Sequence, residues 1–225
     1  MAATCAPTTA PSDGTITHDA SIQTIDIEVP EFEVDPGVVE KNFKDSYRYN
    51  VAAYRLAVLL GLDNVPVSVE RRIDGKKAAV TWWIDGVAMD ENDRMAKQPR
   101  PALSPRMAGQ IQNMRVFDEL IGNTDRNGGN MLRDKGNTLW MIDHSRGFRT
   151  STVVRNPKAI EQCDRQLLAK VRSLTADDIK KAAGDSLGKK DIASMLSRRD
   201  ALVKLFDGLV AERGEAKVLF TLPPR

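Results

Sequence analysis

The sequence predicts an α+β protein in two lobes, and three observations lead there. Before Gly86, apolar and polar residues alternate over several short runs, with one helical stretch among them. After Pro105 the spacing is mainly helical. Within that second part lies a polar segment, Phe117 to Phe148, dense in Asp, Asn and Gly. A chain of 225 residues with 41% hydrophobic content can bury one full core, so both lobes fit one domain.

The elements follow in order. Residues 1–14, rich in Ala, Thr and Pro, are predicted disordered. Ile16 to Ile27 alternates and predicts a strand, while Pro30 to Asn42 is acidic and predicts a loop. A helix from Asp45 to Leu60 carries Tyr47, Val51, Tyr54 and Val58 on one face and stops at Gly61. Val65, Val67, Val69 and Ile73 alternate up to Asp74-Gly75, and Val80, Trp82 and Ile84 resume beyond it, a hairpin signature. These residues, 15–85, make the smaller lobe. Residues 86–105, with Pro99, Pro101 and Pro105, predict a flexible connection, and 106–225 the larger lobe. In the latter, Ile111, Met114, Phe117 and Ile121 mark a helix. Asn156-Pro157 predicts a helix start, followed by a stripe of Ile160, Cys163, Leu167 and Val171. Thr175 to Asp178 reads as a capping box opening a short helix that ends near Gly184. Ile192, Met195, Leu202, Phe206 and Leu209 mark a last long helix, with Arg198 and Arg199 expected in solvent.

Composition narrows the function. Lys and Arg total 33 against 31 Asp and Glu, a net charge of +2 that gives no reason to expect a nucleic-acid partner or an acidic membrane surface. Two cysteines, Cys5 and Cys163, are too few for a disulfide framework, and Cys163 falls on an apolar stripe as a core thiol. No run is long enough for a membrane span, and the first residues lack a basic start and an apolar stretch, so a cytoplasmic location is expected.

The polar segment carries the chemistry. Asp125 is followed five residues later by Asn130 and thirteen after that by Asp143. In phosphoryl transfer one Asp orients the attacking hydroxyl, while an Asn and a second Asp hold Mg²⁺ against nucleotide phosphates. Met131-Leu132 and Leu139 to Ile142 flank Asp134-Lys135-Gly136-Asn137 and predict a hairpin that returns Asp143 to Asn130. Mg²⁺ takes one or two carboxylates plus substrate phosphates, and the loop offers that oxygen set, with Mn²⁺ as a second candidate.

Other readings of this segment compete. Asp-Arg-Asn-Gly-Gly-Asn suits a simple turn, which leaves the second Asp unexplained. Asn123, Asp125, Asn127, Gly128 and Asp134 match an EF-hand loop in spacing, but the loop starts with Asn, ends with Asp and precedes a hairpin instead of a helix. His144 invites a role as metal ligand or proton shuttle, although His18 is the only other histidine. Arg146 and Arg149 suit phosphate or an acidic substrate as planar forks, and equally a nearby carboxylate that fixes the loop. Trp82 and Trp83 should point to opposite faces of a strand, so one ring at most faces a ligand, and packing explains both equally well.

The segments IGNTDRNGGNML and WMIDHSRGF resemble the atypical kinases that group the Golgi secretory-pathway protein kinases, four-jointed and the type II phosphatidylinositol 4-kinases. SYRYNVAAYRLAVLLGLDNVPVSVERRIDGKKAAVTWWIDG is similar to the N-lobe of that group, and bacterial members look nearest. The resemblance covers about Ile16 to Phe148. It implies a protein-kinase-like two-lobed fold with a reduced β-containing N-lobe and a mainly helical C-lobe. It also implies ATP and Mg²⁺ as cofactors, Asp125 as the catalytic Asp, Asn130 and Asp143 as metal ligands, and Trp82 to Asp85, with Ile84, as the hinge near adenine. The acceptor would be an unidentified hydroxyl on a protein, lipid, sugar or small molecule.

Two departures from that pattern stand out. Kinases place a strand Lys on the α- and β-phosphates and pair it with a helix Glu. Here Gln23 stands near the Lys position and Asn50 near the Glu. A neutral Gln23–Asn50 contact would hold the helix without offsetting phosphate charge. A Gly-rich loop is also missing from the fifteen residues before Ile16. The leading expectation is an ATP-dependent phosphotransferase. The alternatives are a pseudokinase scaffold or regulatory binding protein, and an N-terminally shortened kinase.

Overall fold

The computed structural model describes residues 17–223; the segment expected to be disordered, and the start of the strand expected from Ile16, lie outside them. The chain opens with β1 (Ala20–Gln23), β2 (Asp26–Asp35) and β3 (Val38–Ser46), then α1 (Tyr47–Leu60), β4 (Ser68–Ile73) and β5 (Lys76–Trp82). β1, β5 and β4 form an antiparallel sheet in that order, with Gln23 opposite Ala79 and Ala20 opposite Trp82. Asp74 and Gly75 turn β4 into β5 with φ of 48° and 77°, the double positive φ that a two-residue hairpin requires.

The region expected as a loop, Pro30 to Asn42, is instead most of a two-stranded ribbon in which β2 pairs with β3 from Asp26–Ser46 to Asp35–Val38. Its charge hid its alternation. Ile27 and Val29 are half-buried on one strand, and Asp35-Pro36-Gly37 is the turn that joins the two. Pro30 is tolerated because the ribbon leaves both strands with a free edge.

Ser46 caps α1, its hydroxyl accepting from Arg48 N, and Gly61 closes it at φ 76° with Leu62 N donating to Ala57 O. The expected stripe is half right. Tyr47 and Val51 are buried against Ala79 of the sheet, but Val58 is 57% exposed. α1 is buried on a second side by Ala52, Ala53, Leu56, Ala57 and Leu60, which join the main core, so small residues define the face that a count of large ones misses.

The connection expected to be flexible is ordered as β6 (Val87–Asp90) and α2 (Glu91–Ala96). Asp90 caps α2 through Asp93 N at 2.7 Å, and buried Arg94 pairs with Glu91. Then α3 (Pro105–Ile121) begins with Ser104 as cap and proline in its first turn, and ends at Gly122 with φ 64°. β7 (Met131–Asp134) and β8 (Leu139–Met141) form the expected hairpin, and β6 adds a third strand beside β7.

Beyond Phe148, Asn156-Pro157 opens only a 3₁₀ turn with no side-chain cap. Cys163 lies in β9 (Cys163–Asp164), and Asp164 caps α4 (Arg165–Ser173) through Gln166 N and Leu167 N. Cys163 is fully buried, which pushes its thiol pKa up and keeps it unreactive. α5 (Ala176–Ala183) has the capping box read from Thr175 and Asp178. α6 (Lys189–Arg213) follows, then α7 (Glu215–Val218) and β10 (Leu219–Phe220), which runs parallel to β9. Met195, Leu202 and Phe206 of α6 meet Met114, Phe117 and Leu120 of α3 in one core, each such side chain stabilising by roughly 1.5–3 kcal/mol.

Candidate active site

α3 positions the polar loop through one buried carboxylate. Asp118 accepts from Asn123 Nδ2 at 2.8 Å and from Arg126 Nε at 2.9 Å and Nη2 at 3.0 Å. Arg126 then donates through Nη1 to the carbonyls of Asn130 at 2.6 Å and Ile142 at 2.8 Å. One guanidinium therefore ties the end of α3 to both sides of the loop. Neither Asp118 nor Arg126 was singled out in the sequence. The available signal was a carboxylate inside the buried stripe of α3, where an unpaired charge would be costly.

This frame brings the three expected residues together. The backbone carbonyl of Asp125 accepts from Asn130 Nδ2 at 2.9 Å, and Ile142 N donates to Asn130 O at 3.2 Å. With its amide nitrogen committed, Asn130 keeps its side-chain oxygen for another partner. Asp125 keeps its carboxylate partly open to solvent, with Arg146 Nη1 4.0 Å away. Asp143 has φ 48°, a left-handed conformation that Asp tolerates, and Oδ1 accepts from Ser145 N at 3.2 Å. The 3₁₀ turn Gly128–Asn130 presses on α2, where a Cβ on Gly128 would stand 2.1 Å from Asn92 Oδ1, so a larger residue would displace the Asn92 side chain.

A fourth acidic residue, Asp45, belongs to this group and was not singled out in the sequence. Burial raises its pKa, and the negative charges of Asp143 and Asp125 raise it further, against the opposing hydrogen bond to Ser145 and the charge of Arg146. Its Oδ1 is buried with no hydrogen-bond partner among the described residues. One or two carboxylates beside an amide oxygen are a donor set that suits a hard divalent cation completed by phosphate and water. Among the described residues no three acidic, histidine or cysteine groups converge as a metal site, so most of the coordination would come from ligand and solvent.

Gln23 and Asn50 do meet: Asn50 Nδ2 donates to Gln23 Oε1. Asn50 Oδ1 also accepts from His144 N at 2.7 Å, so a neutral chain runs from β1 through α1 to the residue after Asp143. His144 is neither an open ligand nor a shuttle. It is buried, burial and the charge of Arg126 hold its pKa well below 6.5, and Nε2 accepts from Arg126 Nη2 at 2.9 Å. Arg146 and Arg149 both grip Glu40 of β3 and lie over the Phe43 ring at 5.1 and 5.5 Å, so the carboxylate reading of these arginines holds. Calcium is disfavoured as well, since the Asn123 side chain, first in that spacing, is spent on Asp118 and Asp125 N.

The aromatic pair at the end of β5 is exposed, against the packing reading. Trp82 and Trp83 are 42% and 52% exposed, so neither is a core residue. Alternation places Trp82 with Ile22 and Val80, and Gln23 with Ala79 on the face against α1. The Trp82 ring and Gln23 therefore occupy opposite faces of the sheet. His18 stacks on Trp82 at 3.5 Å and its Nε2 bonds Asp85 Oδ2 at 2.8 Å, which raises its pKa. Ile84 is buried. Arg198, expected in solvent, is 1% exposed and donates to the carbonyls of Leu120, Arg149 and Ser151.

No family model matches the chain, and no curated protein matches it by sequence. Among solved structures it is similar to hydra Fam20 with sugar, at a TM-score of 0.67 and 12% identity over 93% of this chain and 83% of that one. The Golgi casein kinase with Mn/ADP bound matches at 0.61 and 15% identity, covering 91% of this chain and 71% of that one. A second structure of the Golgi casein kinase matches at 0.59 and 14%, covering 80% and 65%. The α+β fold is thus the kinase-like fold of these proteins. Among the described residues no helix is long and apolar enough to cross a membrane.

Proposed function

We propose that the protein is an ATP- and divalent-metal-dependent phosphotransferase acting on an alcohol group. The observation that carries this reading is the closure of Asp125, Asn130 and Asp143 around one loop by the bonds of Asn130 to Asp125 and Ile142, in a fold shared with a kinase that holds Mn/ADP. Asp125 orients the acceptor hydroxyl: its oxygen bonds to the γ-phosphorus, the bond to the β-bridging oxygen breaks, ADP departs and the proton passes to the Asp125 carboxylate. Asn130 and Asp143 would hold the cation, Mg²⁺ or Mn²⁺, with Asp45 beside them, and when bound it would supply positive charge against the phosphoryl oxygens. In the hinge segment Trp82 to Asp85, Trp82 N and Trp83 N donate to Val67 O and Asp19 O, which leaves the backbone of Ile84 and Asp85 to serve adenine, and Gln23 contacts the phosphates as a neutral donor.

A second reading, a pseudokinase, is favoured by the Gln23–Asn50 pair, which replaces a charged contact by amides. Thermal unfolding with ATP, with and without Mg²⁺ or Mn²⁺, tests the site directly. The expected result is a metal-dependent rise in Tm that Asp143→Ala abolishes. No rise in either protein would refute the metal–nucleotide site.

A further inference from the structure

Beside the loop lies a cavity of about 340 Å³ whose lining includes Thr124, Lys41, Arg149, Arg155 and Arg198. Arg149 on its wall shares Glu40 with Arg146, whose Nη1 lies 4.0 Å from the Asp125 carboxylate, so the cavity adjoins the group proposed to orient the acceptor. Two carboxylates also line it, and both are committed. Glu40 is held by Arg146 and Arg149, and Glu119 accepts from Arg155 N at 2.7 Å and Asn156 N at 3.1 Å. Four cationic side chains against two acidic ones leave a surplus of positive charge on the wall.

Two of those cations are buried and incompletely satisfied. Arg198 spends Nε and Nη1 on backbone carbonyls, and its Nη2 has no partner among the described residues. Arg149, 7% exposed, leaves Nε without one. The acidic residues that act on Arg198 are Glu119 and Asp191, and Asp191 is already paired with Lys44 at 2.9 Å. Burial lowers the Arg198 pKa to about 10 and also lowers that of Arg149, an effect that the pair with Glu40 only partly opposes. Lys41 and Arg155 are exposed at the rim.

We propose that this cavity binds the phosphate group of a small hydroxyl-bearing phosphate ester, which is the acceptor of the transfer proposed above and so rests on that reading. Guanidinium and ammonium groups converging from several elements suit a tetrahedral dianion with many acceptor positions. A carboxylate is saturated by two arginines, as Glu40 already shows. The volume suits a small molecule.

The test is calorimetric titration of the full chain, without nucleotide or metal, using glycerol phosphate, inorganic phosphate and acetate at matched ionic strength. Glycerol phosphate should bind at least as tightly as inorganic phosphate, with acetate silent. Lys41→Ala and Arg155→Ala should each weaken binding by about tenfold, the loss of one charge-assisted hydrogen bond, while Arg172→Ala, which removes only an exposed pair with Asp207, leaves it unchanged. Arg155→Lys should recover part of the loss. Equal binding of acetate, binding of inorganic phosphate alone, or indifference to Lys41→Ala and Arg155→Ala would each overturn the proposal. Because nucleotide is absent, that failure is separate from a failure of the metal-dependent ATP shift.

Discussion

The loop from Phe117 to Phe148 and the sheet of β1, β5 and β4 both face the candidate site, but they are held in opposite ways. The loop hangs on a buried ion pair, Asp118 with Arg126, whose guanidinium also satisfies two carbonyls and a histidine. The sheet reaches α1 and Asp143's neighbour through amides alone, Gln23 to Asn50 to His144 N. Charge thus fixes the groups proposed to act on the acceptor, and neutral polar contacts hold the side proposed for the nucleotide. On that proposal rigid positioning is concentrated where phosphoryl transfer gains most from it.

Removing the group that acts on the acceptor should produce the largest effect. Asp125→Ala should lower phosphate transfer by about 10²–10⁴-fold with Tm nearly unchanged, because the carboxylate is partly exposed and makes few bonds. Transfer measured with labelled ATP checks it, and activity that survives the change would reassign the acceptor-orienting role. If neither protein transfers phosphate but both bind ATP, the neutral sheet has made the molecule a binding protein.

Breaking the frame of the loop comes next. Arg126→Ala leaves Asp118 as a buried charge without its partner, at a cost of about 3–5 kcal/mol, and frees the carbonyls of Asn130 and Ile142. Denaturant unfolding should show this loss, whereas Gln23→Ala should cost far less. Equal losses would erase the contrast between charged and neutral anchoring.

The third change separates stability from ligand binding. Asp45 has a raised pKa in the folded chain, so the folded state binds its proton more tightly than the unfolded one. Its contribution therefore favours folding below the unfolded value of about 4 and turns unfavourable as pH rises toward and through the folded value. Asp45→Asn should raise the Tm of the metal-free protein at neutral pH by a few degrees, flatten that pH dependence and weaken the metal-dependent ATP shift. A drop in Tm would show that the carboxylate is already satisfied without a cation.

Legibility in the sequence followed the same division. That Asp125, Asn130 and Asp143 come together was readable because their spacing, the flanking hairpin and the helix before them are local patterns. The Asp74-Gly75 turn and the Thr175 capping box were readable for the same reason. Asp118 with Arg126, Arg198, Glu40 with Arg146 and Arg149, and the position of Asp45 were not, because each depends on partners brought together by the fold. Arg198 was expected in solvent from its place in the pattern of the last long helix, and the β2–β3 ribbon, Glu40 included, looked like a loop because acidic residues interrupt its apolar rhythm. Trp82 was assigned to the nucleotide by its place in the chain, and only strand register shows which face its ring takes.

The smallest expected effect probes that register. Trp82 shares a face with Ile22 and Val80, stacks on His18 and is 42% exposed, so Trp82→Ala should change stability by no more than about 0.5 kcal/mol. The backbone of Ile84 and Asp85 is retained in the variant, so ATP affinity should stay within about threefold, a shift of under 1 kcal/mol. Gln23→Ala, on the opposite face, should weaken ATP binding more than Trp82→Ala does. The reverse order would mean that adenine lies on the outer face of the sheet, with the ring as its platform and the neutral Gln23–Asn50 contact purely structural.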